Sequence, residues 1–110
     1  MKTCINNSIQ IYLEQLLKQF DKSEPKYRDR LYDWYKNIRV EIASKGFLYY
    51  KDGGREMFLS NPKVLAGGLF YIHSITTGQD VTQRMITGVL GINISSIKDS
   101  YRAVKTFLDL

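Results

Sequence analysis

Residues 61–77, NPKVLAGGLFYIHSITT, form a helical pattern that is apolar on nearly every side and carries one charge, Lys63. Asn61 is a good cap for such a helix, Pro62 is tolerated in its first turn, and Gly78 favours its end. A helix without a broad polar face belongs in the interior of a protein. The other elements are therefore expected to surround this one.

Small residues at 66–68, Ala-Gly-Gly, lie in the middle of this central helix. Each glycine costs a helix about 1 kcal/mol relative to alanine. Close packing must recover that cost, so a second helix is expected to approach here. The apolar positions expected to be buried are Val64, Leu65, Ala66, Leu69, Phe70, Ile72 and Ile75.

Four other segments have apolar residues at three- and four-residue spacing, which is typical of amphipathic helices. They predict helices at about 8–20, 24–45, 82–90 and 94–108, in addition to the central helix at 62–76. With 110 residues, the chain is long enough for one core, so a single all-α domain over 1–110 is expected. The predicted core-facing residues outside the central helix are Ile9, Tyr12, Leu13, Leu16, Leu17, Phe20, Tyr27, Leu31, Trp34, Tyr35, Ile38, Ile42, Val81, Met85, Ile86, Val89, Leu90, Ile94, Ile97, Tyr101, Val104 and Leu108.

Polar residues mark the predicted helix starts. Asn7 or Ser8 is expected to cap the first helix, and Ser23 with Pro25 to start the second after a polar break at 21–23. Asn93 is expected to cap the last helix. The outer surface of the second helix, including Arg28, mixes basic and acidic residues and is interpreted as a solvated face rather than a phosphate track.

The segment 47–59, FLYYKDGGREMFL, predicts a β-hairpin between the second and central helices. Tyr49 and Tyr50, flanked by Lys51 and Arg55, suit two roles. They can stack on bases, or they can pack on their own domain, which is the commoner fate of a short aromatic hairpin.

The composition limits the partners and the cellular location that are expected for the chain. Sixteen Lys and Arg against eleven Asp and Glu give a net charge of +5, which suits an acidic partner such as nucleic acid. The single cysteine, Cys4, supports neither an internal disulfide nor a zinc site, which indicates an intracellular, cytoplasmic protein. No signal peptide or apolar run long enough for a membrane span is present, so no membrane association is expected.

Little in the sequence indicates catalysis. The lone histidine, His73, lies in the apolar helix, where a satisfied core histidine is the expectation. Residues 52–54, Asp-Gly-Gly, are a turn signal without the lysine and helix of a phosphate loop. We expect no enzyme activity, no metal and no cofactor.

The last two helices form a helix-turn-helix pattern, joined by a short turn that begins at Gly91. Lys98, Arg102 and Lys105 share one flank of the last helix, and a DNA-facing surface and a solvated face remain equal alternatives from charge alone. The start of such a helix reaches base edges, whereas later cations neutralise phosphates. The candidate DNA-binding residues are Thr82, Gln83, Arg84, Ser95, Ser96, Lys98, Arg102 and Lys105.

The last fifty residues resemble the cyclin-like repeat of the general transcription factor TFIIB and its archaeal counterpart, TFB. The resemblance comprises the residues Ala66-Gly67-Gly68-Leu69-Phe70-Tyr71-Ile72, Thr77-Gly78, Thr82-Gln83-Arg84, Ile86, Gly91-Ile92, Ser96-Ile97-Lys98 and Ser100-Tyr101-Arg102. It implies a five-helix cyclin-like fold in which the last two helices enter the major groove. It also implies a source in an archaeon or an archaeal virus.

Several positions depart from the family pattern. The residues that read bases correspond to Ser95, where Val is common, and Lys98, where Arg is common. Ile94 replaces an acidic residue, and Met85 replaces the Glu of a capping box, for which Asp80 with Gln83 can substitute. Because Lys lacks the two-pronged grip of Arg on guanine, a different target sequence is expected.

The resemblance covers one repeat, without the zinc ribbon and second repeat of a full factor. The expected function is therefore a stand-alone, single-repeat regulator of transcription that binds double-stranded DNA, with a second copy or a protein partner adding specificity. The alternative is a protein-interaction module that docks on the TATA-binding protein, RNA polymerase or a host factor without contacting DNA. For a viral protein, the location is the host cytoplasm.

Overall fold

A computed structural model of the chain describes residues 5–20 and 24–110. Within these ranges the chain is mostly helical, with one antiparallel hairpin, which confirms the predicted all-α character and the hairpin near 47–59. Cys4 and the predicted break at 21–23, with its helix start at Ser23, lie outside the described residues. The elements are α1 (Ile5–Gln19), α2 (Pro25–Lys45), β1 (Leu48–Asp52), β2 (Arg55–Leu59), α3 (Pro62–Thr76), α4 (Gln83–Leu90) and α5 (Ile94–Phe107).

Helix α3 is the centre of the fold and packs against α1, α2, α4 and α5. The carboxamide oxygen of Asn61 accepts from the backbone N–H groups of Lys63, at 2.9 Å, and Val64, at 3.3 Å, as a capping residue should. The predicted apolar set is buried except for Ile75, which is 42% exposed in the last turn. Although α3 is apolar, no helix in the described ranges is long and apolar enough to cross a membrane.

The start of α1 differs from the prediction. The chain is already helical at Ile5, so Asn7 and Ser8 lie within the helix and do not cap it. The apolar spacing explains the difference, because Ile5 and Ile9 are four residues apart and extend the pattern backwards. The predicted inner face of α1 is otherwise confirmed: Leu13, Leu16 and Leu17 are buried.

A polar cluster joins α1 to α2. The Arg28 guanidinium donates to the Glu14 carboxylate at 2.7 Å, and the Tyr32 hydroxyl donates to the other carboxylate oxygen. The bond to Arg28 lowers the pKa of Glu14, and burial raises the pKa of Tyr32. Arg28 lies on the predicted outer face of α2 and its side chain remains 41% exposed, but it also pairs with a carboxylate from another helix, which was not predicted.

The hairpin packs one of its two faces on the helices. Leu48 pairs with Leu59 at its base and Asp52 with Arg55 at its tip, and Gly53 and Gly54 make the turn with positive φ. Leu48 is buried and Tyr50 half-buried on the inner face, where β1 contacts α5 and α2. On the outer face, the ring of Phe58 contacts two other aromatic rings, with ring centres 5.1 Å from Phe47 and 5.3 Å from Tyr49.

Candidate nucleic-acid interface

A side-chain cap starts α4. The Thr82 hydroxyl oxygen accepts from the backbone N–H of Met85 at 3.2 Å. The suggestion that Asp80 with Gln83 replaces this cap is wrong, because Gln83 is already the first helical residue and Thr82 precedes it. Met85 is also 42% exposed rather than buried, since the face of α4 that meets the core is the one with Ile86 and Leu90.

A tight three-residue turn at 91–93 connects α4 to α5. Gly91 has a φ of +69°, which favours glycine, and its N–H donates to the Thr87 carbonyl at 2.8 Å. Asn93 occupies the capping position with an extended backbone, as predicted. Its side chain makes no capping hydrogen bond, however, so that part of the prediction is wrong.

Helix α5 has one buried and one exposed face. Its buried residues are Ile97, Ser100, Ala103 and Val104. The opposite face is open to solvent and includes Ser95, Lys98, Arg102 and Lys105, four of the candidate residues. Ile94, which was expected inside, is 42% exposed at the first residue of the helix. Spacing alone misplaced it because it lies at the edge of the apolar stripe.

The two glycines of α3 position α5. A Cβ atom on Gly67 would lie 2.5 Å from the Ile97 Cδ1 atom, and one on Gly68 would lie 2.8 Å from the backbone carbonyl carbon of Ser100. Both distances are shorter than any normal carbon contact. At Gly67 the Ile97 side chain could shift its end, whereas at Gly68 the obstacle is backbone, so α5 itself would have to move. The predicted close approach at 66–68 is thus present, and the approaching helix is α5.

The remaining candidates lie around the start of the helix pair. Thr82 and Arg84 are exposed at the start of α4, and Gln83 is half-buried there. Ser96 is half-buried at the edge of α5, where it lines a shallow depression with Asp99 and the base of the hairpin. The structure therefore unites Ser95, Lys98, Arg102 and Lys105 on one open face of α5, with the half-buried Ser96 at its edge.

Aromatic contacts surround the cations in the second half of α5. The Lys105 ammonium lies 5.8 Å from the centre of the Tyr101 ring, which in turn meets Tyr71 of α3 edge-on at 5.3 Å. A cation over an aromatic ring is held in place while keeping its charge. Beside them is an open depression of about 740 Å³ between α5 and β1, lined by Tyr50, Tyr101, Arg102, Lys105, Thr106, Asp109 and Leu110.

Sequence reasoning did not connect Tyr50 with α5, because fifty residues separate them and only the packing of the hairpin brings them together. Nor did it indicate Thr106 or Asp109, which have no periodic signal. Tyr50 was considered for base stacking, but its ring is half-buried beside Arg102 and Thr106. The only sequence signal for this depression was Tyr50 itself, which the sequence places near Lys51 and Arg55.

The lone histidine is buried but not satisfied. His73 lies between Tyr27, at 4.4 Å between ring centres, and Trp34, at 5.1 Å. Neither ring nitrogen has a hydrogen-bond partner among the described residues, so the expectation of a satisfied histidine is wrong. Burial lowers its pKa to about 4, which keeps the ring neutral at pH 7. Across residues 5–20 and 24–110, no group of three or more His, Cys, Asp and Glu side chains is placed to hold a metal ion.

Comparison with known proteins found no matching family model and no significant match among curated proteins or solved structures.

Proposed function

We propose that the chain is a DNA-binding transcription regulator, related to transcription factor B through a single cyclin-like repeat. It binds duplex DNA through α4, the turn and α5. One observation carries the proposal: the first turn of α5 is open to solvent at Ile94 and Ser95, while its opposite face is fixed against Gly67 and Gly68. A rigidly held helix with an open start can enter a major groove.

The candidate residues divide into two roles. Ser95, Ser96 and Lys98, near the start of α5, contact base edges. The cations that neutralise phosphates are Arg84, Arg102 and Lys105. The side chains of Thr82 and Gln83 donate hydrogen bonds to the sugar-phosphate backbone of the DNA. Thr82 can do this while it caps α4, because its oxygen accepts from Met85 and its own O–H remains available to donate.

Regulation results from occupancy of a DNA site near a promoter by the chain. A bound chain blocks or assists assembly of the transcription machinery at a nearby promoter. One recognition helix makes few contacts, so a second copy, the TATA-binding protein or RNA polymerase supplies further specificity.

The decisive measurement is the affinity for a random-sequence duplex as a function of salt concentration. Each phosphate contact contributes about −0.9 to the slope of log affinity against log salt, so several contacts give a steep decline. A flat response, or no binding at low salt, would refute the proposal.

Two alanine substitutions test the division of roles. Lys98→Ala is expected to relax the preference among sequences, because Lys98 is assigned to a base edge. Lys105→Ala is expected to weaken binding to all sequences alike and to reduce the slope by about 0.9. Both side chains are exposed, so neither change disturbs the core. Equal effects on sequence preference would contradict the assignment.

A protein-interaction module is the second candidate function, and the outer face of the hairpin favours it. Phe58 is 57% exposed and Tyr49 40% exposed, next to Phe47. Aromatic residues are enriched at protein interfaces. In this case, Phe58→Ser would abolish capture of purified TATA-binding protein or polymerase, and the chain would show no salt-dependent binding to duplex DNA.

A further inference from the structure

The hairpin runs beside α5 for most of the length of that helix. At its base, Phe58 and Leu59 share a depression with Ser96 and Asp99 in the first half of α5. Further toward the tip, Tyr50 shares the larger depression with residues 101–110. The hairpin is therefore a wall along one side of the exposed face of α5, and any duplex on that face lies next to it.

The larger depression has the donors that a phosphate group requires. Arg102 and Lys105 supply positive charge from α5, and Thr106 supplies a hydroxyl from the same helix. Tyr50 adds a hydroxyl-bearing side chain from a different element, β1. Cations together with neutral O–H donors on two elements are a typical set for holding a backbone phosphate.

We propose that this depression is a phosphate seat, in which Tyr50 and Thr106 join Arg102 and Lys105 to hold a backbone phosphate of the duplex read by the start of α5. The inference rests on the proposed function and gives the hairpin a role in it. The hairpin fixes the position of one DNA strand along α5, so that the helix start meets a defined base step.

One residue opposes the anion. Asp109, also at the depression, is exposed, and its carboxylate repels phosphate. It has a φ of +59°, a conformation that asparagine also tolerates. Asp109→Asn therefore removes the charge without straining the backbone, and it is expected to raise the affinity for every duplex.

The direct test is Tyr50→Phe, which deletes the hydroxyl and keeps the ring. Because a hydrogen bond to a charged group is lost, affinity for a random duplex should fall by on the order of ten-fold. The salt slope should stay unchanged, because no charge is removed. Tyr12→Phe is the matched control, because Tyr12 is also half-buried but lies on α1, outside the seat. Deleting the Tyr12 hydroxyl should leave DNA binding unchanged. Thermal melting of both variants checks that each is folded.

The outcomes separate this inference from the proposed function. If the wild-type chain binds duplexes with a steep salt dependence and Tyr50→Phe binds equally well, the seat is refuted while the function stands. If the wild-type chain binds no duplex, both are refuted.

The same donors would take a free phosphate. Inorganic phosphate is therefore titrated at constant ionic strength while the amide resonances of Tyr50 and Thr106 are followed by NMR. Saturable shifts without any duplex binding would assign the depression to a small phosphate compound and overturn the duplex contact. Weak shifts that duplex DNA reproduces at much lower concentration would support it.

Discussion

His73 is an ionisable side chain that the fold keeps neutral and without a hydrogen-bond partner among the described residues. It packs against the rings of Tyr27 and Trp34, away from water, and burial together with the positive charge of Arg30 disfavours its protonation. The resulting fall of its pKa to about 4 is a statement about folding, because the unfolded chain binds the same proton near pH 6.5.

Acidification is expected to destabilise the fold through His73. Between pH 6.5 and 4 the unfolded chain is protonated and the folded chain is not, so the free energy of unfolding falls as the pH is lowered through this window. The expected loss at pH 5 is about 2 kcal/mol relative to pH 7. Urea unfolding of the wild type and of His73→Leu at both pH values measures it. The free energy of unfolding of His73→Leu should fall much less between pH 7 and pH 5, since the chain has no other histidine.

The local sequence contained no information about these pairings. The position of His73 within an apolar helix predicted burial, but not that Tyr27 would donate to or accept from Ser74 at 2.8 Å and leave the imidazole without a partner. Glu14 and Arg28 likewise meet only because α1 and α2 pack side by side. Such pairings depend on the relative placement of helices, and residue spacing within one helix does not determine that placement.

Between elements, the contact of α3 with α5 matters most for the proposed site. Gly68 lies against Ser100 so closely that a methyl group would overlap the Ser100 backbone. By contrast, a Cβ atom on Gly88 in α4 would meet nothing within 4 Å. Gly68 and Gly88 are thus helical glycines of opposite character, the first required by packing and the second on the surface.

Alanine substitutions at these two positions should act in opposite directions. Gly68→Ala is expected to destabilise the fold by about 3 kcal/mol, because α5 must move away from α3. Gly88→Ala is expected to stabilise it by up to about 1 kcal/mol through helix propensity. Thermal unfolding followed by circular dichroism measures both. Similar melting temperatures for the two variants would contradict the close contact.

At the element scale, the sequence was informative where local signals were strong. The cap at Asn61 and the glycines after α2 and α4 set the helix ends to within a residue or two of the prediction. Met85, Ile94 and Ile75 were misassigned for one reason: each lies at an edge of an apolar stripe, where the neighbouring element determines burial. The close approach at 66–68 was predictable, but its partner, α5, was not.

For the whole molecule, charge is distributed unevenly. Residues 1–55 contain eleven of the sixteen Lys and Arg residues, yet the open face of the helix pair contains few cations. On α2 the residues opposite the core, among them Lys36, are exposed and belong to neither α4 nor α5. The total charge of +5 therefore overstates what the proposed interface presents to DNA.

This distribution sets the expected size of the salt effect. If Arg84, Lys98, Arg102 and Lys105 are the cations that meet phosphates or bases, the slope of log affinity against log salt should be about −3.6 or shallower. Lys36→Ala serves as the control and should leave the slope unchanged. A much steeper slope, reduced by Lys36→Ala, would show that α2 also contacts DNA and would contradict the assignment of the interface to α4 and α5.

The separation of the two faces of α5 has a consequence for engineering. The buried residues of this helix, Ile97, Ser100, Ala103 and Val104, lie on the side away from Ser95 and Lys98. Ser95 and Lys98 can therefore be randomised together in a library without loss of folded protein. Selection of such a library against different duplexes would retarget the domain, and natural divergence can take the same route.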